Sequence, residues 1–148
     1  MIKGNTDISV PGGVVTMDHI ISTFTLSADF TIDSYDVKHE SIATQPICST
    51  KATSSKDFIL IKTADTELMI TLEHKVYLPA EDTWAFARDL KSGSILLSHN
   101  SGPVEVVEVL RVRDKASIRV YTLSLAEHCN YFANNILIHS QMGGDCDI

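Results

Sequence analysis

The chain has 148 residues, enough for one domain with a real core, because a domain of this size buries roughly 70% of the surface its unfolded chain would expose. Nineteen Asp and Glu against twelve Lys and Arg leave a formal charge of −7 with no long block of one sign, which argues against a phosphate-binding surface and against nucleic acid as a direct partner. No apolar stretch has membrane-spanning length, and the opening MIKGNTDISV lacks the apolar region of a signal peptide, so the expectation is a cytoplasmic protein with no membrane partner.

In chain order, short β-branched and aromatic runs recur: DISV, GVVTM, STFTLSADFTID, DFILIKT, ELMITL, KVYLP, SILLS, VEVVEVLRVR and IRVYTLSL. Turn residues separate them at Pro11-Gly12-Gly13, Ser92-Gly93-Ser94 and His99-Asn100-Ser101-Gly102-Pro103. The pattern predicts an all-β fold of many short strands, with at most one or two short helices. Helix is expected only at TMDHIIST, after Thr16, and at TWAFARDLKSG, where Thr83 would cap a short helix that Gly93 ends. The polar stretch 35–56, rich in Ser and Thr, reads as a surface hairpin or loop. The run NYFANNILIHS, 130–140, reads as a buried strand that stops on a histidine and a small hydroxyl residue.

Cys48, Cys129 and Cys146 are odd in number and too far apart for a zinc knuckle. The expectation is therefore reduced cysteines and no metal site, with Cys129 a small thiol packing a strand. His19, His39 and His99 read as surface or turn residues.

Three pieces stand out together: GNTDISVPGG near the start, TLEH at 71–74, and VYTLSLAEHCNYFANNILIHS at 120–140. Each alone has a plain explanation, such as a turn, a core histidine or an interior strand. In this order they resemble the Hint superfamily, which comprises inteins, hedgehog-type autoprocessing domains and bacterial intein-like domains. That family has an N-terminal Cys-x-x-Gly-(Asp/Asn)-Thr block, an internal Thr-x-x-His and a terminal block similar to Tyr-Phe-Ala-Asn-Gly-Ile-Leu-Val-His-Asn. Here these become MIKGNT, TLEH and YFANNILIHS, and FARDLKSGSILL is similar to a further family element.

The resemblance implies a Hint or intein horseshoe-like fold over residues 1–140, with 141–148 as a C-extein remnant or tail. It implies a mini-intein, since only short strands and turns lie between His74 and Val120, leaving no room for a homing endonuclease. The implied function is protein splicing, a single-turnover autocatalysis by acyl shift, transesterification and cyclisation of a terminal amide. No cofactor is implied, and the partners are the chain's own flanking exteins or a complementary split-intein fragment, with a break at 100–102 as one place for a split.

By the same resemblance Thr71 and His74 serve the N-terminal step, one holding the developing oxyanion and the other protonating the leaving nitrogen. His139 is the penultimate histidine that assists cyclisation. Met1 stands at the nucleophile position and Ser140 at the terminal asparagine position. A thioether cannot undergo the acyl shift and serine has no amide to cyclise. Two accounts cover this: a deliberately altered chain held before splicing, or a variant using other groups. In the second, Gln141 would be the terminal amide, but Met142 would then follow where Cys, Ser or Thr is required.

Cys129 falls where the family has a second assisting histidine, with His128 displaced by one place. An internal cysteine nucleophile, used by some relatives, would belong at Thr122, with a tryptophan at Val76; neither is present. Two alternatives stand beside splicing. One is a bacterial intein-like or hedgehog-type self-cleaving domain. The other is a non-catalytic β-rich binding module, which would leave Met1, His74 and His139 apart in space.

Overall fold

A computed structural model describes residues 1–26 and 30–140. Its strands in chain order are β1 (Ile2–Lys3), β2 (Asp7–Val10), β3 (Gly13–Thr16), β4 (Thr31–Asp36), β5 (Ser41–Thr63), β6 (Glu67–Thr71), β7 (Lys75–Leu78), β8 (Thr83–Phe86), β9 (Ile95–Ser98), β10 (Gly102–Leu125), β11 (Asn130–Ala133) and β12 (Ile136–His139). One helix, α1 (Met17–Leu26), follows β3. The all-β expectation holds, and the tail 141–148, with Cys146, lies outside the described residues.

Two long strands frame the molecule. β5 and β10 pair antiparallel from Val106 opposite Thr63 to Leu125 opposite Ile47, with a register shift between Arg113 and Ile118. The runs VEVVEVLRVR and IRVYTLSL are therefore halves of one strand. Beyond this ribbon the sheet runs from β10 through β9 to β12, β11, β2 and β3, while β1 bridges β10 and β6.

Of the hairpin or loop expected at 35–56, the hairpin forms: only 37–40 turns, between β4 and β5, and from Ser41 onward the chain is strand, paired with β4 and then β10. Thr and β-branched residues suit a pleated, half-exposed surface, so polarity did not mean loop here. Gln45 and Ile47 point inward while Ile42, Thr44 and Pro46 do not.

The helix after Thr16 forms as expected, and the Thr16 hydroxyl accepts a hydrogen bond from the His19 amide at 3.2 Å, an N-cap contact. It runs on through Leu26, so the first half of STFTLSADFTID is helical rather than strand. Met17, Ile20, Ile21 and Phe24 recur at helical spacing and pack on the main core. The helix expected at TWAFARDLKSG is also corrected. Residues Thr83–Phe86 pair with β7, Trp84 opposite Tyr77, and only Ala87–Asp89 forms a single 3-10 turn.

The run NYFANNILIHS is a hairpin rather than one strand. β11 and β12 pair from Ala133 opposite Ile136 to Asn130 opposite His139. Asn134 and Asn135 form the turn with φ of 44° and 72°, the left-handed pair that a tight two-residue hairpin requires. The Asn134 side chain accepts from the Asp7 amide at 2.8 Å and donates to the Glu67 carbonyl at 2.7 Å, fastening the turn to β2 and β6.

Replacing Asn135 with alanine is expected to cost about 1–2 kcal/mol, because alanine tolerates the left-handed region poorly. Asn135→Gly should retain most of the stability. Urea midpoints check this, and equal losses for the two variants would sink the backbone argument.

Candidate active site

The site is assembled where β6, β10 and β12 meet the N-terminal strand. Ile2 pairs with Ile70 on β6 and with Tyr121 on β10, so Met1 is carried alongside Thr71, whose amide donates to the Met1 carbonyl at 3.0 Å. β6 ends there. The chain then turns within TLEH, the His74 amide donating to the Thr71 carbonyl at 3.2 Å. The 3-10 turn clamps this loop: the Ala87 amide donates to the His74 carbonyl at 2.8 Å and the Arg88 amide to the Leu72 carbonyl at 3.0 Å. FARDLKSG thus acts as a brace for the histidine loop.

His74 is fully buried. Its Nδ1 meets the Met1 nitrogen, and its Nε2 lies 2.5 Å from the His139 carbonyl oxygen. A carbonyl only accepts, so Nε2 carries the proton and Nδ1 is the acceptor that faces Met1. The Met1 nitrogen also donates to the Thr71 hydroxyl at 2.5 Å. One imidazole therefore spans residue 1 and the carbonyl of residue 139. Met1, Thr71, His74, His139 and Ser140 converge, which the reading as a non-catalytic binding module did not expect.

Ser140 is fully buried, with its backbone amide and carbonyl both held. Its amide donates to the Cys129 carbonyl at 2.8 Å, and its carbonyl accepts from the Thr122 hydroxyl. Thr122 has a single proton, so the Tyr131 hydroxyl, 3.1 Å away, donates to it in turn. Burial raises the Tyr131 pKa and keeps that phenol protonated. The Ser140 hydroxyl itself has no hydrogen-bond partner among the described residues.

The His139 ring packs against an aromatic side chain. It stands edge-on to Trp84 at 5.1 Å between centroids. Beside it opens a cavity of about 450 Å³ lined by Tyr35, His39, Trp84, His128 and Cys129. His128 and Cys129 therefore sit at the rim of the His139 cavity. Gln45 fixes their loop, its carbonyl oxygen accepting from the amides of Glu127 (2.7 Å) and His128 (3.0 Å) and its nitrogen donating to the His128 carbonyl at 2.7 Å.

Cys129 is disulfide-bonded, whereas Cys48 is free and exposed. The expectation of a reduced thiol is corrected at Cys129, and a sulfur tied in a disulfide cannot attack a carbonyl. Among the described residues no helix is long and apolar enough to cross a membrane, which says nothing of a β-barrel. Tyr131, Gln45 and Trp84 are further residues of the site that sequence reasoning did not single out, and Thr122, named there only as the place of an absent cysteine, is the donor to the Ser140 carbonyl. They are ordinary strand residues whose roles arise from pairings across the fold.

Burial holds His74 well below its ordinary pKa, helped by the neighbouring Met1 amine, and burial lowers that amine from 8.0 to about 4. Both groups bind fewer protons folded than unfolded. Their contribution to stability is complete above the unfolded pKa and is lost as pH falls toward the folded one. A chain with a free Met1 amine is thus expected to lose stability progressively from pH 8.0 toward about 4, with His74 adding to the loss below 6.5. Acetylating the amine should flatten the upper part of this slope in thermal unfolding. An unchanged slope would count against the buried amine.

No family model and no curated protein sequence matches the chain. Solved structures do. A bacterial intein-like domain from Clostridium thermocellum superposes with a TM-score of 0.83 at 17% identity, covering 93% of this chain and 96% of that one. The PabCDC21-1 intein gives 0.77 at 21% identity, covering 94% and 97%. The DnaX mini intein from Spirulina platensis gives 0.75 at 19%, covering 93% and 98%. The chain has the Hint fold of these domains, as its motifs implied.

Proposed function

We propose that residues 1–140 form a protein-splicing domain of the intein type, with 141–148 as flanking sequence and with Met1 and Ser140 standing where splicing uses a nucleophile and a terminal asparagine. The observation that carries this reading is the single buried imidazole of His74 between the Met1 nitrogen and the His139 carbonyl. A splicing centre must act on both junctions, and few other tasks call for two chain segments 138 positions apart in sequence, Met1 and His139, to share one proton carrier.

At the N-terminal junction the nitrogen of residue 1 is the leaving group of an acyl shift. Thr71 and His74 both reach it. His74 can protonate it only after gaining a proton at Nδ1, so the neutral, buried state is a resting state. Met1 offers no nucleophile and the shift does not begin. At the C-terminal junction an asparagine at position 140 would attack its own carbonyl, on which Thr122 is the donor that would hold the oxyanion. Packing of β12 would keep this junction in place for that attack. His139 would assist from its cavity. The partners on this reading are the chain's own exteins or a complementary fragment of a split domain.

Changing Ser140 to asparagine tests the C-terminal half alone. Release of the 141–148 peptide, leaving a succinimide or asparagine at residue 140, is expected by intact mass. A folded variant that stays whole would argue against the reading.

A second reading, a self-cleaving bacterial intein-like domain, is favoured by the TM-score of 0.83 to such a domain. It predicts cleavage without ligation of the flanks.

A further inference from the structure

We propose that Ser140 is itself a nucleophile, and that the chain as it stands is poised for an N-to-O acyl shift at the His139–Ser140 bond. This goes beyond the splicing reading because it requires neither an asparagine nor a cysteine at residue 1. It concerns the bond before Ser140, whereas asparagine cyclisation would break the bond after it.

Three observations meet at this bond. The Ser140 hydroxyl is fully buried and without a hydrogen-bond partner among the described residues. A buried hydroxyl left unpaired costs free energy and is uncommon, so it needs a reason. The carbonyl that such a hydroxyl attacks in an acyl shift, that of the preceding residue, is the one that His74 Nε2 approaches to 2.5 Å. The nitrogen that would leave is fixed by its bond to the Cys129 carbonyl at 2.8 Å. The Thr122 contact to the Ser140 carbonyl and the Asn130–His139 pairing lock the residue on both sides.

The step balances as follows. The Ser140 Oγ forms a bond to the His139 carbonyl carbon, whose oxygen takes negative charge and is held by the His74 Nε2–H. The carbon–nitrogen bond then breaks. The proton lost from Oγ ends on the Ser140 nitrogen, which becomes a free amine, and an ester now joins His139 to the Ser140 side chain. No oxidant or metal is needed. The amide is the more stable isomer, so the ester accumulates little until it is consumed, either by water, giving a His139 carboxylate and a Ser140 hydroxyl, or by an added nucleophile. His74 touches the reacting oxygen and is a catalytic residue in this step. Thr122 and Tyr131 are positioning residues.

The test is neutral hydroxylamine on the folded 148-residue chain, read by intact mass and fragment sequencing. The chain contains no Asn-Gly bond, the usual site of hydroxylamine cleavage, so background is low. Cleavage is expected at one place, giving a fragment that ends in a hydroxamate at His139 and a second that begins at Ser140. Ser140→Ala should abolish it. Ser140→Cys, which makes a thioester, should give the same cut with added thiol. His74→Gln should slow either reaction roughly 100-fold, the scale of losing one oxyanion donor. If the original chain and Ser140→Cys both stay intact while their circular dichroism remains that of the folded protein, the proposal is wrong. Cleavage that persists in Ser140→Ala would overturn it equally. These outcomes are independent of the Ser140→Asn experiment, which cuts after residue 140, so the failure of one reading is distinguishable from that of the other.

Discussion

With cysteine installed at Met1 and an upstream peptide attached, replacing His74 by glutamine is expected to reduce thiol-induced N-terminal cleavage by roughly two to three orders of magnitude. The argument rests on what His74 touches. Its Nδ1 faces the nitrogen that must leave, while Nε2 is committed to the His139 carbonyl. Glutamine can keep one of these bonds but cannot carry a proton to the leaving amine. Full burial in a low-dielectric site makes the loss larger than for an exposed histidine. Because the ring also touches residue 139, the same substitution should slow C-terminal release in the Ser140→Asn chain. His139→Ala should slow C-terminal release while leaving thiol cleavage nearly intact. A His74→Gln rate within a few-fold of the parent would remove His74 from the chemistry.

Phe132→Ala is expected to cost about 3–5 kcal/mol, the range for emptying a large buried aromatic site. Phe132 is wholly buried with Tyr77, Leu97 and Leu137 in a small second core, and His99 lies edge-on at 4.9 Å. The neighbours are strand residues of β7, β9 and β12, which have little freedom to close the space. This core sits under the hairpin that ends in His139 and Ser140, so the loss should also loosen the junction. Chemical denaturation measures it, with a midpoint shift of roughly 1–3 M urea for a typical slope. A change below about 1 kcal/mol would show that β11 is held mainly by its polar contacts, among them Asn130 to the Tyr35 backbone at 2.7 and 3.0 Å.

Much of the fold was legible because punctuation was honest. Gly12, Gly93 and Gly102 all adopt positive φ at the turns their sequence context predicted. The Thr16 cap marked the helix, and TLEH and NILIHS, singled out in the sequence, lie together in the structure. Misreadings came where composition and tertiary pairing disagreed. At 41–56 composition leaves hairpin and loop open until β4 and β10 supply partners, and TWAFARDL looks helical until β7 captures Thr83–Phe86. The Asn134–Asn135 turn lacks the glycine that usually marks such hairpins, so an apolar run concealed a reversal of the chain. Tyr131 could not be found from sequence and Thr122 entered only as the place of an absent cysteine, since the chain of contacts from Tyr131 through Thr122 to Ser140 exists only in the closed sheet. The state of Cys129 depends on pairing that cysteine spacing does not reveal.

Splicing itself is the central claim, and it has a direct measurement. A chain with Met1→Cys and Ser140→Asn, a short peptide placed before residue 1 and a downstream segment beginning with cysteine after residue 140, is followed by intact mass spectrometry. The account predicts two products: the joined flanks and a free domain of 140 residues ending in a succinimide or asparagine. Only unjoined flanks, or a folded chain that remains a single uncut species with thiol present, would contradict it.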